Sequence, residues 1–358
     1  MSGRIAVVGV GLIGGSIGLA ARERLGAEVS GVDRAEEALR IGLERGALDR
    51  ACGSTAEALE QADAAFVAVP VGALRDVVAE VLAAAPPECA VTDVGSTKRA
   101  VVTAHADPRF VGGHPLAGAE TSGVEHARAD LFAGATWYLT PTATTSGIVY
   151  ERLYRMLHAL GARPAAIDAD VHDSILAAVS HLPHVFANLL VSEAAGAVSM
   201  EGERLPATGP SFRDATRVAG ASSRVWTDIY ISNRDVLAAA IDRAVERLRA
   251  VRDALATSDA RWIAGWNDVA AADRRRLLEA QLGEGGLSEL RVSVPNRPGV
   301  VAKLALELSR AGINIADMAL HPAADLRDGV IALWIAGGEN ARRAQELIGD
   351  LGFPVVPV

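Results

Sequence analysis

The chain has 358 residues, half of them hydrophobic, with 35 basic and 44 acidic side chains and a net charge of −9. That length suits two or three domains, each able to bury a core, and excludes a disordered chain. The acidic balance argues against nucleic acid held by a broad electrostatic footprint. Two cysteines, Cys52 and Cys89, are too few for a disulfide framework or a zinc site, which suits a reducing cytoplasm.

The N-terminal run Ile5–Ala21 is uncharged behind Arg4 and resembles a signal peptide. Glycines at 9, 11, 14, 15 and 18 would weaken a simple apolar helix there. No other stretch approaches the ~18–20 apolar residues of a membrane span, so no membrane partner is expected. Among the basic residues only Lys98 and Lys303 are lysines. A GC-rich coding bias accounts for the arginine excess, yet a compact ammonium and a planar guanidinium are not interchangeable.

Through about residue 165, short apolar runs alternate with helical patterns. Strands are expected at Arg4–Val8, Glu28–Val32, Ala64–Val69, Ala90–Asp93, Phe110–Gly112, Thr136–Leu139 and Pro164–Ile167. Crossover helices are expected at Ala35–Arg45 and Gly72–Ala84. Several strands are continuously apolar, as strands buried on both faces are. Residues 1–165 are thus read as a Rossmann-type doubly wound α/β sheet. Residues 166–282 are read as an all-helical domain. Within it Leu237, Ile241, Ala244, Leu248, Val251 and Leu255 repeat at spacings of a two-helix seam, either a bundle core or a dimer interface. Gly283–Gly286 then makes a break, and residues 287–358 follow the order βαββαβ of a ferredoxin-like unit.

Gly9-Val10-Gly11-Leu12-Ile13-Gly14 follows the first strand and opens a helix. Such glycines allow a tight turn and close approach of the backbone to a pyrophosphate, and the helix start turns N–H groups toward the phosphates. Asp33 ends the second strand, where a carboxylate accepts bonds from adenosine ribose hydroxyls. It favours NAD, because a 2′-phosphate would meet a negative charge. Arg34 beside it leaves NADP possible.

Two motifs lie beyond strand ends, where substrate should sit. One is Thr92-Asp93-Val94-Gly95-Ser96-Thr97-Lys98; the other runs from Gly112 through His114 to Gly118, with Glu120 just after. A histidine in a glycine-rich surface loop can accept a proton from a hydroxyl as hydride leaves the same carbon, with Ser96 orienting it. The helical domain adds Val179-Ser180-His181-Leu182-Pro183-His184. On a helix Ser180 and His184 face the same way; no third ligand is evident for a metal, so none is expected. Both histidines can equally be buried, hydrogen-bonded helix residues. Asp214 and Arg217 stand three apart with Trp226 beyond, either an arginine held for an anionic substrate or a plain helix ion pair.

The ordered set GVGLIGGS, DVGSTK, GGHPLAG, VSHLPH, FRDATR and Trp226-Thr227-Asp228-Ile229 resembles the prephenate/arogenate dehydrogenases of tyrosine biosynthesis. The tail resembles an ACT regulatory domain through Val294-Pro295-Asn296-Arg297-Pro298-Gly299 and Gly312-Ile313-Asn314-Ile315. The resemblance implies that His114 deprotonates the C4 hydroxyl of a cyclohexadienol while hydride passes to the nicotinamide, and that loss of CO₂ completes aromatisation. It implies that Ser96 orients His114, that Arg217 grips a substrate carboxylate, and that His184, Glu120 and Asp214 form a polar network. His172, Ser180 and Trp226 would line the pocket. Gly209-Pro210-Ser211 departs from the glycine run of many members.

In the tail, Asn296, Pro298 and Gly299 lie at a strand-to-helix turn suited to an amino acid carboxylate, or simply to capping a helix. ACT domains pair, so tyrosine or another amino acid bound between tails is the expected effector of a homodimer. A β-hydroxyacid dehydrogenase, the nearest enzyme rival, is disfavoured because no lysine lies between Ala165 and Gln281. A non-catalytic sensor of NAD and amino acids is disfavoured by the presence of both His114 and Arg217. Prephenate is preferred over arogenate, although Asp214 or Glu120 could pair with an arogenate ammonium.

Overall fold

The computed structural model describes residues 3–118, 121–201, 208–281, 287–295, 297, 300–313, 315–322 and 328–358. It divides into two compact units, Met1–Glu246 and Arg247–Val358. The first begins with β1 (Arg4–Val8), α1 (Leu12–Leu25), β2 (Glu28–Val32), α2 (Glu36–Glu44), β3 (Arg50–Ala51), α3 (Thr55–Ala58), β4 (Ala64–Val67), α4 (Val71–Ala84), β5 (Ala90–Asp93) and α5 (Arg99–Ala104). It continues through β6 (Phe110–Pro115), β7 (Thr136–Thr140), α6 (Gly147–Ala159) and β8 (Arg163–Ala166). One eight-stranded sheet results, in the order β3-β2-β1-β4-β5-β6-β7-β8.

Continuous apolar strands need cover on both faces, and they have it. Along β1, Ile5 and Val7 enter one buried cluster while Ala6 and Val8 enter the other. β4 repeats the pattern with Ala64 and Phe66 against Ala65 and Val67. The strands from β3 to β6 run parallel, but β7 is antiparallel to β6 and β8 follows β7 in parallel. The doubly wound sheet read from the sequence is thus a mixed one, with β7 and β8 running against the other six strands. The β6–β7 connection contains a 3₁₀ turn, Val124–His126, where a parallel neighbour would have required a crossover helix.

The helical region opens with α7 (Ala169–Leu176), a π-turn (Ala177–His181) and α8 (Leu182–Glu201). There follow α9 (Pro210–Thr216), a 3₁₀ turn (Arg217–Gly220), α10 (Ser223–Ser232), α11 (Arg234–Ala256) and α12 (Ala260–Gln281). Asp168 caps α7 by accepting from the backbone N–H groups of Asp170 and Val171. Contrary to the sequence expectation, Ala169–Gly196 is long and apolar enough by composition to cross a membrane. Histidines, serines and the acids Asp170, Asp173 and Glu193 break its apolar run, which conceals its length in the sequence. Along the expected α11 seam Leu237 is buried, while Leu248 and Leu255 are exposed.

The second unit carries β9 (Leu287–Pro295), α13 (Val300–Arg310), β10 (Ile315–Pro322), β11 (Asp328–Ala336), α14 (Gly338–Asp350) and β12 (Val355–Pro357). These strands form an antiparallel sheet in the order β10-β11-β9-β12. Alternation along β9 sends Leu290, Val292 and Val294 inward, onto Leu304 and Leu308 of α13 and Ala344 and Ile348 of α14. The βαββαβ order read from the sequence is the order observed.

Candidate active site

At the first glycine loop, Gly9 has φ +97°, and a Cβ there would lie 2.4 Å from the Ala68 carbonyl oxygen. A Cβ on Gly14 would lie 2.0 Å from the Gly9 carbonyl oxygen, so α1 can approach β1 only without a side chain at that position. Gly11 is the N-cap of α1, with no side-chain cap and no acid in the first turn formed by Leu12, Ile13 and Gly14. The N–H groups of that turn are left for an anion. Asp33 fastens the loop from β2: its carboxylate accepts from the backbone N–H groups of Val10 (2.7 Å) and Ala35 (2.8 Å). Arg34 is exposed beside it.

The second motif is built around buried charge. Lys98 and Asp93 are both fully buried and form an ion pair. The Lys98 ammonium also donates to the Gly113 carbonyl oxygen (2.7 Å), while Asp93 accepts from the backbone N–H groups of Gly95 (2.8 Å) and Gly113 (3.1 Å). Gly113 is thus held at both its N–H and its carbonyl. This clamp accounts for a departure from the sequence reading: β6 continues through His114, which is a buried strand residue and not part of a surface loop. Ser96 lies half-buried in the loop between Asp93 and Lys98.

His114 meets α7. Its Nδ1 lies 2.9 Å from His172 Nε2, and His172 Nδ1 lies 2.8 Å from Asp173 Oδ1. The same Asp173 carboxylate accepts from the backbone N–H groups of Lys98 (2.8 Å) and Arg99 (2.9 Å). Burial, then the nearby His172, Lys98 and His181, hold His114 well below the ordinary histidine range, so it is neutral near pH 7. His172 is expected to line the pocket, but it has no exposed surface and both its ring nitrogens are engaged. It stands behind His114 with no polar atom free for a ligand.

The π-turn changes the phase between α7 and α8, so the spacing rule for a continuous α-helix does not hold across it. His181 is buried, with its Nδ1 3.3 Å from Asn233 Nδ2, and burial pushes it down to about 4. Its Nε2 and the Asn233 Oδ1 are buried without a protein partner among the described residues. His184 stacks on Trp226 with ring centroids 3.6 Å apart and 7° between planes, and its Nδ1 bonds to the Tyr230 hydroxyl. Ser180 is half-buried on the π-turn. Asp214 on α9 and Arg217 at the following turn are exposed; α9 ends before Arg217, so the two do not share one regular helix face. Among the described residues no cluster of three or more His, Cys, Asp or Glu side chains is arranged to hold a metal ion. Glu120, Asn296, Pro298, Gly299 and Asn314 lie outside the described residues.

Residues 17–165 match the family model "Prephenate dehydrogenase, nucleotide-binding domain", and residues 168–266 match "Prephenate dehydrogenase, dimerization domain". The prephenate dehydrogenase of Bacillus subtilis is 30% identical over 359 residues, covering 97% of this chain and 96% of the relative. The chain belongs to the prephenate dehydrogenase family. A cyclohexadienyl dehydrogenase of Zymomonas mobilis is 33% identical over 269 residues, covering 71% of this chain and 89% of its own length. Among solved structures, the Aquifex aeolicus prephenate dehydrogenase in complex with hydroxyphenyl propionate and NAD+ matches with a TM-score of 0.73 and 26% identity. It covers 77% of this chain and 99% of its own. A Synechocystis arogenate dehydrogenase matches with a TM-score of 0.66 and 26% identity, covering 76% and 99%.

Members of this family are NAD-dependent oxidoreductases, and the glycine loop, the uncapped start of α1 and Asp33 fit that cofactor. Four residues that build the surroundings of His114 escaped the sequence reading as site residues: Asp93, Asp173, His181 and Asn233. Asp173 had one signal, its place directly after His172. Asn233 had none, since its bonds to the Asp173 carbonyl oxygen and to His181 cross more than fifty residues.

Proposed function

We propose that the protein is a prephenate dehydrogenase, oxidising and decarboxylating prephenate to 4-hydroxyphenylpyruvate in tyrosine biosynthesis. The observation that carries this is a neutral, buried His114 at the end of β6, held by its Nδ1 so that Nε2 is left to act as a base. Bound NAD would supply the acceptor for the hydride that leaves C4. His114 takes the proton of the C4 hydroxyl, Ser96 orients that hydroxyl, and the proton returns to the oxygen when loss of the ring carboxylate as CO₂ leaves a phenolate. No net proton is needed, which suits a base of low proton affinity. Arg217 grips a substrate carboxylate, and His184, Asp214 and Glu120 form the polar network around it, with Ser180 and Trp226 as walls. Aromatisation drives the second step, so placing base, donor carbon and carboxylate is most of what the protein must do.

Three parts share the work in this reading: residues 1–165 for the dinucleotide, 166–282 for substrate and dimer formation, and 287–358 for regulation. The βαββαβ tail is read as an ACT domain that binds tyrosine or another aromatic amino acid, with Asn296, Pro298, Gly299 and Asn314 at its turns. Titration calorimetry with each aromatic amino acid tests this; heat from at least one is expected, and none from any would leave the tail a structural element. The cytoplasm, with its NAD and its reduced thiols, is the compartment that suits the enzyme.

Arogenate is the second reading, favoured by the likeness to the Synechocystis arogenate dehydrogenase. It would give tyrosine directly. Side-by-side kcat/KM values decide between the two, and prephenate is expected to be preferred. With the better substrate, His114→Asn should lower kcat by about 10²–10⁴-fold with little change in substrate affinity. Near-normal turnover in that variant would remove His114 from the chemistry.

A further inference from the structure

We propose that His172 and Asp173 are positioning residues for His114, forming a relay that sets which of its ring nitrogens carries the proton and shares the charge it gains during turnover. This rests on the reading of His114 as the base for the substrate hydroxyl.

The argument starts from the carboxylate. Asp173 also accepts the backbone N–H groups of Lys98 and Arg99 at the start of α5. Burial alone would raise its pKa, but the bonds from His172, Arg99 and Lys98 outweigh that and hold it below the ordinary value. An ionised carboxylate only accepts hydrogen bonds, so at Asp173 Oδ1 the proton must come from His172 Nδ1. In the proposed relay His172 carries no second proton, so it has a lone pair at Nε2, the atom that faces His114 Nδ1. The proton of that contact belongs to His114 Nδ1, and the lone pair of His114 is left on Nε2. A base in the other tautomer would have its lone pair directed at His172 and useless to a substrate.

The ring of His172 has little freedom to abandon this arrangement. It has no exposed surface, and it packs edge-on against Tyr138 of β7 at 5.7 Å between ring centroids and against His114 at 5.1 Å. The charged groups around His114 make such a relay useful. Lys98, from the loop before α5, and His181, from the π-turn, both disfavour a positive charge there, and Lys98 is itself balanced by Asp93. His172 beside it likewise disfavours a positive charge on His114. Asp173 is the anion in bonding contact with His172. The same carboxylate tethers the loop carrying Ser96 to α7, so the base and its neighbouring hydroxyl are positioned from one point.

The test begins with the intact wild-type protein and needs no substrate. With eight histidines in the chain, ¹⁵N-labelled imidazole resonances can be resolved and His114 identified by its loss in His114→Gln. At neutral pH its Nδ1 should be pyrrole-type and its Nε2 pyridine-type; a proton on Nε2, or an even mixture, overturns the proposal. His172→Phe keeps an aromatic ring against Tyr138 but removes the acceptor. Its kcat should fall by about 100-fold, with KM for substrate and NAD changed by less than about threefold, and the His114 tautomers should mix. His172→Gln, which restores an accepting oxygen, should recover about tenfold of that loss. A kcat for His172→Phe within about threefold of wild type, or a loss confined to KM, overturns the relay. Should His172→Phe not fold, the wild-type tautomer and the glutamine variant decide. Absence of wild-type turnover with prephenate and arogenate would instead sink the functional reading, which the tautomer measurement does not depend on.

Discussion

His114 shows how far one residue depends on those around it. The motif marks it as chemically active, but its protonation state is set by burial first and by His172, Lys98 and His181 next. The direction is downward, so more acid is needed to protonate it than an ordinary histidine, whose value is 6.5. A base that must be neutral to act should therefore give kcat/KM that stays flat as pH falls to about 6.5 and declines only below it. An acid limb centred at or above about pH 7 would show that another group limits the reaction. Ser96, His114 and His184 could be singled out from the sequence because each stands in a short motif whose chemistry is local. Asp173 could not, because its partners Lys98 and Arg99 lie 75 and 74 residues away.

The ends of β5 and β6 act as one element because Lys98 and Asp93 join them. Removing one partner of a buried, hydrogen-bonded ion pair leaves an unbalanced charge that water cannot reach. Lys98→Met should therefore lower stability by about 3–5 kcal/mol, read from the denaturant midpoint, and should loosen Gly113 and with it His114. Lys98→Arg should not restore it, since a guanidinium is larger and planar in a space closed on all sides. A midpoint unchanged in Lys98→Met would mean the pair contributes nothing net. Most element positions were readable from apolar runs, and several strand bounds agree to the residue. The π-turn was not, because its few residues leave the helical pattern on either side intact. The direction of β7 was also hidden: strand character follows from local composition, whereas pairing direction follows from the path of the connection.

At the scale of the molecule, the apolar surface left on the helices calls for a partner. Leu189, Leu190 and Val191 of α8 are exposed, as are Leu248 and Leu255 of α11 and the stacked pair Trp262 and Trp266 of α12. Within each unit, exposed aromatic and aliphatic side chains on a helix are of the kind that association surfaces carry. Together with the match to a dimerization domain over residues 168–266, they lead us to expect a homodimer. Sedimentation should give a mass near twice the chain mass of 37.1 kDa, and Leu255→Arg with Trp266→Glu should shift it toward the monomer. A wild-type monomer at micromolar concentration would remove dimer formation from the reading. The overall acidity of the chain also acquires a local exception. A protein of net charge −9 that takes an anionic cofactor and a dicarboxylate must gather positive character locally, and the candidates are the uncapped start of α1 and Arg217.

The order of the elements, the glycine loop with its acid and the family of the chain were determined by the sequence alone. Each depends on residue types at short spacing, where backbone geometry and hydrophobic periodicity leave few alternatives. The tertiary structure decided that His172 is fully buried between His114 and Asp173 with both ring nitrogens engaged. It also paired Lys98 with Asp93 and tied Asp173 to α5, turning one of two scarce lysines into a buried clamp beside His114. Those choices depend on how a helix packs against a sheet end, which brings together residues up to 75 positions apart that no local pattern connects.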